Sequence, residues 1–138
     1  MKIRKIMHTD VVTLQADKPL MRAVEILEAE HIRHLPILEG ERLVGMVTTF
    51  DIKHVTPSPL LEESQERYHQ VFHETPVSRI MRRAPITASP NAALADVVRL
   101  MIDGNVSAVC IVEGKRLVGI VSELDVLNTF LEVLKALE

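Results

Sequence analysis

The sequence predicts an α+β fold in which one β-α-β-β-α unit occurs twice. Three observations carry this. Residues 5–52 return at 79–126 with no gap, and 14 of the 48 paired positions are identical. Glycine-centred turns stand at the same place in both copies, Glu39-Gly40-Glu41 and Glu113-Gly114-Lys115. Each copy also closes on a hydroxyl residue followed three positions later by aspartate, Thr48…Asp51 and Ser122…Asp125. An internal repeat of this length is a structural unit that buries its apolar face against a neighbour.

The elements follow in order. A β-branched stretch opens each copy, Val11-Val12-Thr13 and Ile86-Thr87, and reads as a strand. Asp17-Lys18-Pro19 and Ser89-Pro90 then signal a helix start, because proline is tolerated in a first turn, where its missing N–H costs little. Leu20, Ala23, Val24 and Leu27 recur at helical spacing, as do Leu94, Val97, Val98 and Met101. Gly104 is the expected C-cap of the second of these helices. Leu35-Pro36-Ile37-Leu38 and Ala108–Val112 read as buried strands. The glycine turns supply unusual backbone angles and lead into the return strands Leu43–Thr48 and Leu117–Ser122. A closing helix starts near Thr49 and near Glu123. The expected packing is sheet to sheet with pseudo-twofold symmetry.

The copies are separated by a breaker, Thr56-Pro57-Ser58-Pro59, and by a candidate helix, residues 60–72, on which Leu61, Tyr68 and Phe72 share a face. Thr75-Pro76 ends it. The expected organisation is repeat 1 over residues 1–55, a linker with a helix over 56–76, and repeat 2 over 77–138.

Composition narrows the functional classes. Aromatic residues are 3% of the chain and tryptophan is absent, so the core must be aliphatic. A net charge of −3 offers no global basic field for nucleic acid or anionic lipid. No apolar run approaches the roughly 20 residues of a spanning helix, and no signal-like apolar region follows the basic start, so the expected location is the cytoplasm. Cys110 is the single cysteine, which rules out an intrachain disulfide and reads as a small buried hydrophobe. Met7 and Met81 recur at equal positions and read as core filler. His69 and His73 lie four apart with Glu66 and Glu74 near, a metal-ligand spacing set against a plain solvated helix face. No nucleophile elbow, P-loop or dinucleotide fingerprint occurs, so the chain reads as non-catalytic.

The repeated chemistry lies at the last strand-to-helix junction. Free N–H groups at a helix start favour phosphate, and an aspartate on the first turn offers two acceptor oxygens for the hydroxyls of a ribose. The same residues also spell a helix capping box, in which the acid only satisfies backbone N–H groups. The residues alone leave both readings open.

Ile6-Met7, Val12-Thr13, Leu20, Ala23-Val24, Ile32–Ile37, Leu43–Thr48 and Asp51-Ile52, with their partners in the second copy, resemble the CBS domain. The tandem pair is similar to a Bateman module. The linker region resembles acetoin-utilisation-type CBS proteins, without the further C-terminal domain some of them carry. The resemblance implies two clefts, each taking its ribose aspartate from one repeat and its adenine-facing residues from the other. One would use Ile120, Ser122 and Asp125 with Thr13, Ile32, Arg33 and His34. The other would use Met46, Thr48 and Asp51 with Ile86, Thr87, Val106, Ser107 and Ala108. The regulatory ligand expected is AMP, ADP or ATP, with no cofactor and no metal. Because Arg33 and His34 are cationic or switchable, the Asp125 cleft is expected to prefer more phosphate charge. The second copy departs from the pattern where Leu35-Pro36 becomes Val109-Cys110. A homodimer and an unidentified regulated protein are the implied partners, and Val126, Leu127, Phe130, Leu131, Val133 and Leu134 supply an apolar helix face. Two alternatives stand beside this reading: a structural dimerisation domain with vestigial clefts, and a sensor of another adenosyl ligand such as S-adenosylmethionine.

Overall fold

The computed structural model describes residues 1–57 and 64–138, which form two compact units. One is Val12–Ala84. The other joins Met1–Val11 to Pro85–Glu138. Each repeat's opening segment therefore packs with the body of the other repeat. The expected boundaries at 55 and 77 follow the sequence copies, whereas the packing units exchange their first residues.

The first unit contains β1 (Leu14–Gln15), α1 (Leu20–Ala29), β2 (His34–Glu39), β3 (Arg42–Thr48), α2 (Thr49–Val55), α3 (Ser64–Glu74) and β4 (Arg82–Arg83). β1 runs parallel to β2, β2 antiparallel to β3, and β4 antiparallel to the other edge of β3. Pairing begins at Leu14 opposite Ile37, not at the expected Val11–Thr13. Val12 packs on the core without ladder bonds, since β-branched residues favour extended backbone with or without a partner strand. Leu20, Ala23 and Leu27 of α1 meet Leu35, Ile37, Val47, Phe72, Val77 and Met81 in the core. Phe72 is fully buried and stacks on Tyr68, as their shared face predicts. The expected contribution of Leu61 and the start of the linker helix at residue 60 lie outside the described residues.

The second unit contains β5 (Thr87–Ala88), α4 (Leu94–Gly104), β6 (Ala108–Glu113), β7 (Arg116–Ser122) and α5 (Glu123–Leu137). β5 is parallel to β6, and β6 antiparallel to β7. Its core is Ile3, Val97, Met101, Val109, Ile111 and Val121. α4 begins four residues after Pro90 instead of at it. The Ser89 hydroxyl accepts from the Asn91 N–H at 3.2 Å, closing a turn that delays the helix. Gly104 is the last helical residue and not the cap. Asn105 takes the left-handed conformation at φ 50°, matched by His31 at φ 52° after α1. The missing side chain of Gly104 admits the Ile86 methyl instead. Gly40 and Gly114 do hold the positive φ expected of the hairpin turns, 61° and 65°.

The exchanged segments dock by the same bonds in both units. Leu94 N–H donates to Met1 O at 2.8 Å and Ile3 N–H to Ala92 O at 2.8 Å. Their repeat equivalents are Leu20 N–H to Thr75 O and Val77 N–H to Lys18 O, each 2.8 Å. These bonds satisfy N–H groups that a helix start leaves orphaned. Met7 packs against Gly119 and Met81 against Gly45, where a side chain on the glycine would collide. Cys110 is fully buried, and burial pushes its thiol up to about 12.

Candidate functional site

Two equivalent acidic centres stand at the starts of α2 and α5. At the first, Thr48 caps α2 and accepts from Asp51 N–H at 3.2 Å, while Asp51 Oδ2 accepts from Thr48 N–H at 2.9 Å. At the second, Ser122 accepts from Asp125 N–H at 3.4 Å. Asp125 Oδ2 accepts from Ser122 N–H at 2.8 Å and from the Ser122 hydroxyl at 3.0 Å. The capping-box reading of the sequence is thus realised in both copies.

Capping engages one oxygen of each carboxylate. The other, Oδ1, faces a cationic or titratable side chain from an exchanged segment. Arg82 Nε donates to Asp51 Oδ1 at 3.0 Å, and His8 Nε2 lies 2.7 Å from Asp125 Oδ1. Positions 8 and 82 are equivalent in the repeat. The backbone fixes them: Ile120 bridges His8 and Met46 pairs with Arg82 in antiparallel fashion. Arg82 also lies over the Phe50 ring, 5.9 Å from its centroid. The Asp51 side chain is 10% exposed and that of Asp125 16%, whereas Arg82 and His8 are 60% and 65% exposed. The acids are therefore sheltered at the rim of each unit while the bases lie in solvent, where a pair contributes about 1 kcal/mol or less.

Sequence reasoning missed His8 and Arg82. The signal was present: each copy carries a basic side chain directly after the recurring Ile-Met.

The remaining expected residues gather within units. Arg33 O accepts from Thr49 N–H at 3.1 Å, and His34 pairs with Thr48 across β2 and β3. Ile32 packs on the same core, Met46 is buried on β3, and half-buried Thr13 precedes β1. In the second unit Ser107 O accepts from Glu123 N–H at 2.9 Å, and Ala108 pairs with Ser122. Val106 and Ile86 pack on its core, Thr87 opens β5, and Ile120 lies on β7. The contacts inside each unit thus join the start of a closing helix to its own repeat's stretch, Arg33-His34 with Thr48-Thr49 and Ser107-Ala108 with Ser122-Glu123. The crosswise grouping implied by the resemblance draws on both units and stands as an expectation.

His69 and His73 stack with ring centroids 4.3 Å apart on α3. Among the described residues no three His, Cys, Asp or Glu side chains converge as metal ligands. No helix among them is long and apolar enough to cross a membrane.

Two β-α-β-β-α repeats, each with a capped aspartate on its closing helix, make a tandem module of α+β class. The chain belongs to the CBS domain family, which it matches over residues 3–57 and 77–132. It is similar to a CBS domain-containing protein of Dictyostelium discoideum, 29% identical over 135 residues that cover 96% of this chain and 93% of that one. Among solved structures it resembles the Vibrio cholerae AcuB protein, whose name refers to acetoin utilization. The TM-score is 0.81 and the identity 26%, over 98% of this chain and 93% of that one. It also resembles the CBS domain pair of protein MJ0100, solved with 5′-methylthioadenosine and S-adenosyl-L-methionine. There the TM-score is 0.77 and the identity 27%, over 94% and 95% of the two chains. Other relatives are longer, and the chain spans 33% and 43% of two of them.

Proposed function

We propose that this chain is a non-catalytic regulatory module that binds adenine nucleotides, AMP, ADP or ATP, through Asp51 and Asp125. The observation that carries the reading is the pair of sheltered carboxylates, each with one oxygen bound into a helix cap and the other at the rim. The cap fixes the carboxylate in place, so its outer face is preorganised to accept from a ribose hydroxyl. Arg82, a permanent cation on the Asp51 carboxylate, favours the more phosphorylated ligand there. Asp125, beside Ser107, suits a less charged adenosyl ligand.

A second reading has its own support. The MJ0100 pair was solved with two adenosyl compounds, 5′-methylthioadenosine and S-adenosyl-L-methionine, so a sensor of such ligands is the alternative. Thermal-shift and calorimetric titration with AMP, ADP, ATP, 5′-methylthioadenosine and S-adenosylmethionine separates the two. Ligand at 100 times its Kd stabilises by about 2.7 kcal/mol. Asp51→Ala and Asp125→Ala should each remove one binding event. No shift with any of these compounds would leave the structural dimerisation reading.

The module acts in the cytoplasm on a partner protein and does so as a homodimer. No residue of α5 is buried, and Leu127, Phe130 and Leu131 on it are 59%, 55% and 49% exposed, more apolar surface than a monomer normally leaves in water. Sedimentation of Leu127→Glu should show a monomer; a wild-type chain that already sediments as a monomer would overturn this assignment.

A further inference from the structure

We propose that His8 guards Asp125, so that an adenosyl ligand must displace the imidazole from the carboxylate, and that the second unit therefore binds its ligand more weakly in acid. This rests on the ribose-binding reading above and adds its control.

A carboxylate accepts about four hydrogen bonds. Among the described residues Asp125 receives three: two on Oδ2 from Ser122 and one on Oδ1 from His8. Two vicinal ribose hydroxyls need two more places. Among the same described residues Asp51 receives two, from Thr48 N–H and Arg82, which leaves places for both hydroxyls beside its arginine. At Asp125 something has to leave. The Ser122 bonds, one from its N–H and one from its hydroxyl, belong to the cap of α5. His8 is the mobile member, with a side chain 65% exposed.

His8 can leave without unfolding its segment. The segment is held by its backbone, His8 N–H to Ile120 O at 2.9 Å and Ile120 N–H to His8 O at 3.0 Å, and by Met7 on Gly119. The imidazole side chain needs only a rotamer change to swing into solvent.

The charge on the imidazole then sets how hard it is to displace. Imidazole is the side chain that changes charge between about pH 5 and 8. When protonated it makes a charge-assisted bond to the carboxylate, roughly twice as strong as the neutral one. Asp125 is the carboxylate in contact with His8, at 2.7 Å. The elements packed beside it present neutral Ile120 and Ser122, with Glu123 on the first turn of α5 and Lys5 and Asp10 in its own segment as the next charges along the chain. The repeat-equivalent Arg82 is always charged, so the Asp51 unit carries no such dependence.

The test uses the full chain carrying Asp51→Ala, which leaves Asp125 as the acid to be measured, and adenosine as the probe, since it brings the ribose without phosphate charge. Calorimetry at pH 8.0 and pH 5.5 should show about tenfold weaker binding in acid, the size of one charge-assisted hydrogen bond. Adding His8→Ala should abolish the difference and restore at pH 5.5 the affinity seen at pH 8.0. His8→Gln, a neutral donor of similar reach, should also be flat with pH. In the chain without Asp51→Ala, the His8 ring proton signals in an NMR titration should move as adenosine binds. An unchanged pH slope in His8→Ala, weaker binding by that variant at pH 8.0, or an unmoved His8 signal with adenosine bound would overturn the proposal alone. Absence of adenosine and AMP binding by the unsubstituted chain would overturn the ribose-binding reading with it.

Discussion

Arg82 and Asp51 meet at 3.0 Å although 31 positions separate them in the chain, and the contact ties the second repeat's opening segment to the first repeat's last helix. Arg82→Ala should lower stability by about 0.5–1 kcal/mol, because its side chain is solvent-exposed and the pair is screened. The loss includes its contact with the Phe50 ring. Urea unfolding at low and high salt checks this: the difference between variant and parent should shrink as salt rises.

Capping predicts a second result. Thr48→Ala and Ser122→Ala each remove a side-chain acceptor from the start of a helix and should cost about 1 kcal/mol. Because the hydroxyl and the acid bond reciprocally, the double variant Thr48→Ala/Asp51→Ala should lose less than the two single losses combined. A chemical-denaturation cycle measures that coupling.

Gly119 lies beneath the exchanged segment. A Cβ there would come within 2.8 Å of Met7 Sδ and 3.0 Å of the His8 carbonyl oxygen. The thioether can move aside, but the carbonyl is held by the Ile120 N–H. Gly119→Ala should therefore destabilise by about 1–3 kcal/mol. It should also increase hydrogen exchange at His8 N–H and Ile120 N–H, which native-state exchange with mass or NMR detection reads directly.

Cys110 gives a pH prediction. Burial moves its thiol from the ordinary 9.0 up to about 12, so the folded chain keeps a proton that the unfolded chain releases. Below 9.0 both states hold the proton and the contribution to stability is complete. As pH rises from 9.0 toward 12 that contribution is lost, at up to about 1.4 kcal/mol per pH unit. Thermal melts from pH 8 to 11 should fall less steeply for Cys110→Ala than for the parent. The native thiol should also react slowly with alkylating reagents at neutral pH.

Much of this was legible in the residues. Hairpin turns, amphipathic helices and capping boxes depend on neighbours a few positions apart, so Gly40, Gly114, Thr48…Asp51 and Ser122…Asp125 announced themselves. Boundaries were less legible where a local signal competed with a distant partner. Val11–Thr13 has strand character, yet the ladder starts only where β2 is there to pair. Pro90 reads as a helix start, yet Ser89 closes a turn first.

By itself the sequence determined the repeat, the order of elements in each copy and the two capped aspartates, because these rest on periodicity and short-range hydrogen bonds. Tertiary structure alone decided that each copy's opening segment packs with the other copy. Identical docking bonds are available to both segments, so nothing local distinguishes Met1–Val11 on its own repeat from Met1–Val11 on the other. That exchange places His8 on Asp125 and Arg82 on Asp51. It gives two equivalent acids different partners, a guanidinium at Asp51 and an imidazole at Asp125.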